Sequence, residues 1–140
     1  MKKSIILTLV TFFFSFTTSF CQNIDLPVDT VTTLLCDKWE VDYALVGGMK
    51  IARMPSAPEI NYEFKKDKTF IITGSDPNNK AKGTWNYDSK KKIIRLTTNE
   101  QSNSSIISLK KGELIILLDK DKSMPADMGD TKIVYKITTK

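Results

Sequence analysis

The chain has 140 residues and a mass of 15.8 kDa, with 41% hydrophobic and 26% charged residues, which suits one domain around one core and excludes both wholesale disorder and a multi-span membrane protein. Its net charge is +5, of which Lys2 and Lys3 supply two, so the rest of the chain carries a mild +3 spread over lysines that sit between apolar runs. No contiguous basic face can be assembled from them, and nucleic acid is not an expected partner.

Met1-Lys2-Lys3 is followed by an apolar stretch over residues 5–20, broken only by hydroxyl residues. A basic start and a short greasy middle mark a secretory signal, and the stretch is too short and too weakly flanked for a stable membrane span. The expected division is a signal peptide over residues 1–21 and one domain over residues 22–140, with no transmembrane span in the mature protein. Ser19 and Cys21 are small residues at the positions that favour cleavage before Gln22. Acylation of Cys21 is the alternative, disfavoured because bulky Phe20 stands where a lipid-attachment motif wants a small residue. Either way the protein is expected to be exported, periplasmic or secreted, and Cys36 is left unpaired.

Residues 27–35 place Val31, Leu34 and Leu35 at helical spacing behind Asp29, which predicts a short helix capped by that aspartate. The period then changes to two. Trp39, Val41, Tyr43 and Leu45 alternate with polar residues, as do Ile60, Tyr62 and Phe64, and Phe70 and Ile72 continue the pattern beyond a Lys66-Asp67 turn. Further strands are expected at residues 83–87, 93–98, 104–109, 113–118 and 132–138, separated by turn-forming groups such as Asp88-Ser89 and Lys111-Gly112. Either Ile94 and Leu96 or Ile93 and Arg95 face inward; the sequence leaves that register open. Residues 47–58 and 119–130 read as the two long connections. The sum is all-β: about eight short antiparallel strands in an up-and-down meander, the number at which a sheet can close into a barrel.

The strand-opening Leu34-Leu35-Cys36-Asp37-Lys38-Trp39, the strand-turn-strand unit from Tyr62 to Phe70 and the Gly-x-Trp strand Lys82-Gly83-Thr84-Trp85-Asn86-Tyr87 resemble the lipocalin-like domains exported by Bacteroidota bacteria. The resemblance implies an eight-stranded lipocalin-like (calycin) β-barrel with a short N-terminal helix. Asp37 stands where the family has Gly, and no Arg in the final strand can stack over Trp39.

The chain has no histidine, so the commonest acid/base group and metal ligand is missing, and no catalytic activity is expected. Asp119, Asp121, Ser123, Pro125, Asp127 and Asp130 fall at the ligand spacings of a calcium loop. Met124 stands where the sharp turn needs Gly, and Asp130 is short for the last ligand, so no metal or other cofactor is expected. The leading functional reading is a binder whose inward aromatics, Trp39, Tyr43, Tyr62, Phe64, Phe70, Trp85, Tyr87 and Tyr135, line a pocket for a small hydrophobic or amphipathic ligand. The rival is a filled barrel serving as a structural or protein-interaction module, since eight strands enclose just enough room for side chains. A cavity of at least roughly 300 Å³ would separate the two.

Overall fold

The switch from helical to alternating periodicity falls around Asp37, and that is where the helix gives way to the sheet. The computed structural model describes residues 23–52, 60–74, 76, 78, 80–98, 103–120 and 129–138. Helix α1 (Val28–Leu35) buries Val31 and Leu35 completely. Asp29 is not its cap: Pro27 holds the N-cap position without a side-chain cap bond, and Asp29 sits in the first turn, where its carboxylate meets the positive end of the helix dipole.

Nine strands follow: β1 (Lys38–Val46), β2 (Met49–Ala52), β3 (Asn61–Phe64), β4 (Thr69–Thr73), β5 (Lys80–Asp88), β6 (Ile93–Thr98), β7 (Asn103–Lys110), β8 (Glu113–Leu118) and β9 (Thr131–Ile137). From β3 to β9 each pairs antiparallel with the next. Strand β1 closes the sheet, pairing with β9 from Trp39 to Val46 on one edge. Its other edge is shared: Lys38 and Trp39 face β3, while residues 43–46 face β2. Strands β2 and β3 therefore run one after the other along the same edge and act as a single stave interrupted by residues 53–60. The result is a closed antiparallel barrel of eight staves.

Strand β2 lies within the segment that reads as a long connection in the sequence. Gly47 and Gly48 both have positive φ, 56° and 85°, and make the two-residue turn that folds residues 49–52 back on β1.

The inward register is settled in favour of Ile94 and Leu96, which are fully buried, while Arg95 is exposed. Two irregularities break the alternation, one between Val41 and Tyr43 and one between Ile106 and Ser108. An inserted residue moves the side chains that follow it to the opposite face. Trp39 and Val41 accordingly pack in the interior, whereas Tyr43 and Leu45 join Ile107, Ile115, Leu117 and Val134 in a second apolar cluster on the outer side of the β1-β9-β8-β7 wall.

The two ends of the barrel differ. At the end where β1 begins, the connections are tight (residues 65–68, 89–92 and 111–112), and α1 packs Val31 and Leu35 into the core. The Trp39 indole N–H donates to the Leu35 carbonyl at 2.9 Å, tying helix to barrel. The Ile24 N–H donates to the Lys92 carbonyl at 2.7 Å, and the Tyr87 hydroxyl lies 2.8 and 3.0 Å from the carbonyls of Ile24 and Leu26. That end is sealed. At the opposite end β4, β6 and β8 finish and β5, β7 and β9 begin, joined in sequence by residues 74–79, 99–102 and 119–130.

Candidate functional site at the open end of the barrel

The cleft is formed where inward positions are filled by small residues. Strand β5 presents Ala81 beside Ile72 of β4, β6 ends at Thr98, and the second residue of β7, Ser104, lies beside Leu96. Ala81, Thr98 and Ser104 have short side chains. The space they leave is a cleft of about 650 Å³, lined also by Ile60, Tyr62, Phe70, Leu118, Lys80 and Lys82. Its wall is mainly apolar.

Tyr62 and Phe70 form its buried part and rest on an aromatic cluster. The Tyr62 ring stacks on Phe64 at 5.5 Å between centroids and meets Tyr135 edge-on at 5.4 Å; Phe70 lies 5.6 Å from both Tyr62 and Phe64. Such offset and T-shaped pairs suit the charge distribution of the rings and hold them in place. Phe70 can lie there because its partner on β5 is Gly83: a methyl group at Gly83 would collide with the Phe70 ring and the Thr97 carbonyl.

Burial pushes the Tyr62 hydroxyl up to about 12, against the opposing pull of its hydrogen bond with Ser104. Tyr135 is raised too, by burial first and by the neighbouring Tyr62 second. Both remain neutral hydroxyls through the physiological range. Among the described residues no buried side-chain polar atom lacks a hydrogen-bond partner.

Of the eight aromatics expected to surround a ligand, Tyr62 and Phe70 line the cleft. Phe64 and Tyr135 lie in the aromatic cluster beneath them. Trp39 and Tyr87 serve the sealed end. Trp85 is 2% exposed, donates its indole N–H to the Lys65 carbonyl at 3.0 Å, and carries the Lys68 ammonium 3.8 Å from its ring centroid. Tyr43 lies on the outer face, with the Lys50 ammonium 3.9 Å from its ring. The sequence reading missed Ile60, Ile72, Lys80, Ala81, Lys82, Thr98, Ser104 and Leu118. The signal available for them was the run of small inward residues at one end of consecutive strands, which becomes visible only when the register is known.

Residues 121–128 of the calcium-like spacing lie outside the described residues. Asp119 pairs with Arg95 at 3.8 Å and Asp130 with Lys120 at 3.4 Å. Among the described residues there is no group of three or more metal-ligating side chains and no helix long and apolar enough to cross a membrane.

No protein-family model, curated protein or solved structure matches the chain. The class of protein is thus defined by its own geometry: a closed antiparallel barrel of eight staves, plugged by a helix at one end and hollow at the other.

Proposed function

We propose that this chain is an exported lipocalin-like protein that binds one small hydrophobic or amphipathic molecule in the open end of its barrel. The observation that carries this reading is the cleft of about 650 Å³ over Tyr62 and Phe70, well inside the range of ligand pockets, roughly 300–1,000 Å³. A structural or protein-interaction module with a filled core would have no use for that space, and the leader-like residues 1–21 support delivery outside the cytoplasm. The reading is a carrier and not a catalyst. Neutral hydroxyls and lysines line the cleft, and the chain has no histidine to pair with them.

Titration of the purified protein with N-phenyl-1-naphthylamine, an uncharged probe that brightens in apolar surroundings, tests the proposal. One saturable site with a blue-shifted emission is expected. Absence of saturable binding would overturn the carrier reading in favour of the filled-core module.

A further inference from the structure

The charges of the connections are divided between the two ends of the barrel. Residues 65–68, 89–92 and 110–112, at the sealed end, hold eight lysines against one carboxylate, that of Asp67. The segments joining strands at the open end, residues 74–79, 99–102 and 119–130, hold two lysines against six carboxylates. The three lysine-bearing turns are far apart in sequence, and closure of the barrel brings them to one rim, where β3, β5 and β7 all finish. Lys65, Lys66, Lys90, Lys91, Lys110 and Lys111 are exposed there and form no ion pair with any described residue. Carboxylates close to the rim are already engaged. Asp25 pairs with Lys92 at 2.9 Å, Asp37 accepts the Lys38 N–H, Asp67 that of Thr69, and Asp88 those of Lys90 and Lys91.

The chain also enters the domain at this end: the Ile24 N–H bonds to the Lys92 carbonyl, so the residues before it join the domain beside a lysine turn. A leader held in a bilayer during export, or an acyl group on Cys21, would bring this rim against the lipid headgroups. We propose that the lysine rim of the sealed end docks on a bilayer surface bearing anionic phospholipid headgroups, with the open end and its cleft facing the water. Each lysine within a Debye length of such a surface strengthens binding roughly fivefold. The carboxylate-rich open end is repelled by the same field, which orients the molecule as well as holding it. A nucleic acid fits less well, because Trp39 and Trp85 at this end are buried and offer no face on which a base could stack.

The test is co-sedimentation of the purified full chain with vesicles of phosphatidylcholine alone and of phosphatidylcholine mixed with phosphatidylglycerol. Binding to the neutral vesicles measures what the apolar residues 5–20 contribute, and the gain on adding phosphatidylglycerol measures the charge. That gain is expected to be at least about tenfold and to disappear at high salt. In the Lys66→Gln/Lys91→Gln/Lys111→Gln variant it should fall by about tenfold or more. A control of the same net charge, Lys50→Gln/Lys80→Gln/Lys120→Gln, changes exposed lysines away from the rim and should stay within about twofold of the native protein. No gain on the anionic vesicles, or an equal loss in both variants, would overturn the assignment of the rim. Tighter retention on a double-stranded DNA fragment than on the anionic vesicles would overturn the bilayer in favour of a nucleic acid. Vesicle binding does not involve the cleft, so its failure would leave the carrier reading standing.

Discussion

Gly83 and Tyr62 show how much of this barrel depends on single atoms. The missing side chain at Gly83 lets the Phe70 ring lie across β5, and Phe70 is in turn part of the wall of the cleft. Gly83→Ala should cost about 1–3 kcal/mol, the usual penalty for overpacking a core, read as a lower denaturant midpoint at unchanged slope; an unaltered midpoint would mean that both the Phe70 ring and the backbone at Thr97 can give way. Tyr62 makes the stability sensitive to alkali. Its folded value of about 12 stands above the ordinary 10.0, so between those values the unfolded chain loses this proton while the folded chain keeps it. Stability then falls as pH rises, with the stabilisation fully present below pH 10. For Tyr62 alone the loss approaches roughly 3 kcal/mol near pH 12. Urea midpoints measured from pH 9 to 12 should fall more steeply for the native protein than for Tyr62→Phe, and parallel curves would contradict the assignment.

Among the elements, α1 and β1 repay attention because one was legible in the sequence and the other only in part. The spacing of Val31, Leu34 and Leu35 revealed the helix, since a helix must bury one stripe. The strand at β1 was equally plain from Trp39 to Leu45, but its alternation was carried straight through Asp42. The shift of register there moves Tyr43 and Leu45 outward. Both faces of this wall are apolar, so a hydrophobic pattern cannot reveal on which residue the parity changes. Strand β2 was missed for another reason: it is short, and all its residues are exposed, which leaves Gly47-Gly48 as its one local signal. Two substitutions follow from these placements. Trp39→Phe removes the indole bond to Leu35 and part of a fully buried ring, and should cost about 1–3 kcal/mol without altering probe affinity. Tyr43→Ser should also leave probe affinity unchanged, and a loss of binding there would place the ligand site on the outer face instead of in the cleft.

For the whole molecule, the eight-stave count was legible because each stave carries its own turn signals and its own inward aromatic or aliphatic residues. The location of the hollow end was not. Large inward aromatics advertise a core, and here most of them fill the barrel or tie down the sealed end, whereas the cleft is made by Ala81, Thr98 and Ser104, which bear no such mark. The proposed export is tested on the full chain: intact-mass measurement of protein isolated from its native host should find a species beginning at Gln22, or at an acylated Cys21, and a species retaining residues 1–20 would contradict the leader reading. The central claim is that the space beside Ala81 is a ligand site. Its most direct test is the N-phenyl-1-naphthylamine affinity of Ala81→Phe, a variant that fills the cleft from an inward position. Filling empty space should leave the denaturant midpoint unchanged or raised while probe affinity drops by roughly tenfold or more. An affinity equal to that of the native protein, in a variant of undiminished stability, would show that the barrel's open end is not where this protein binds.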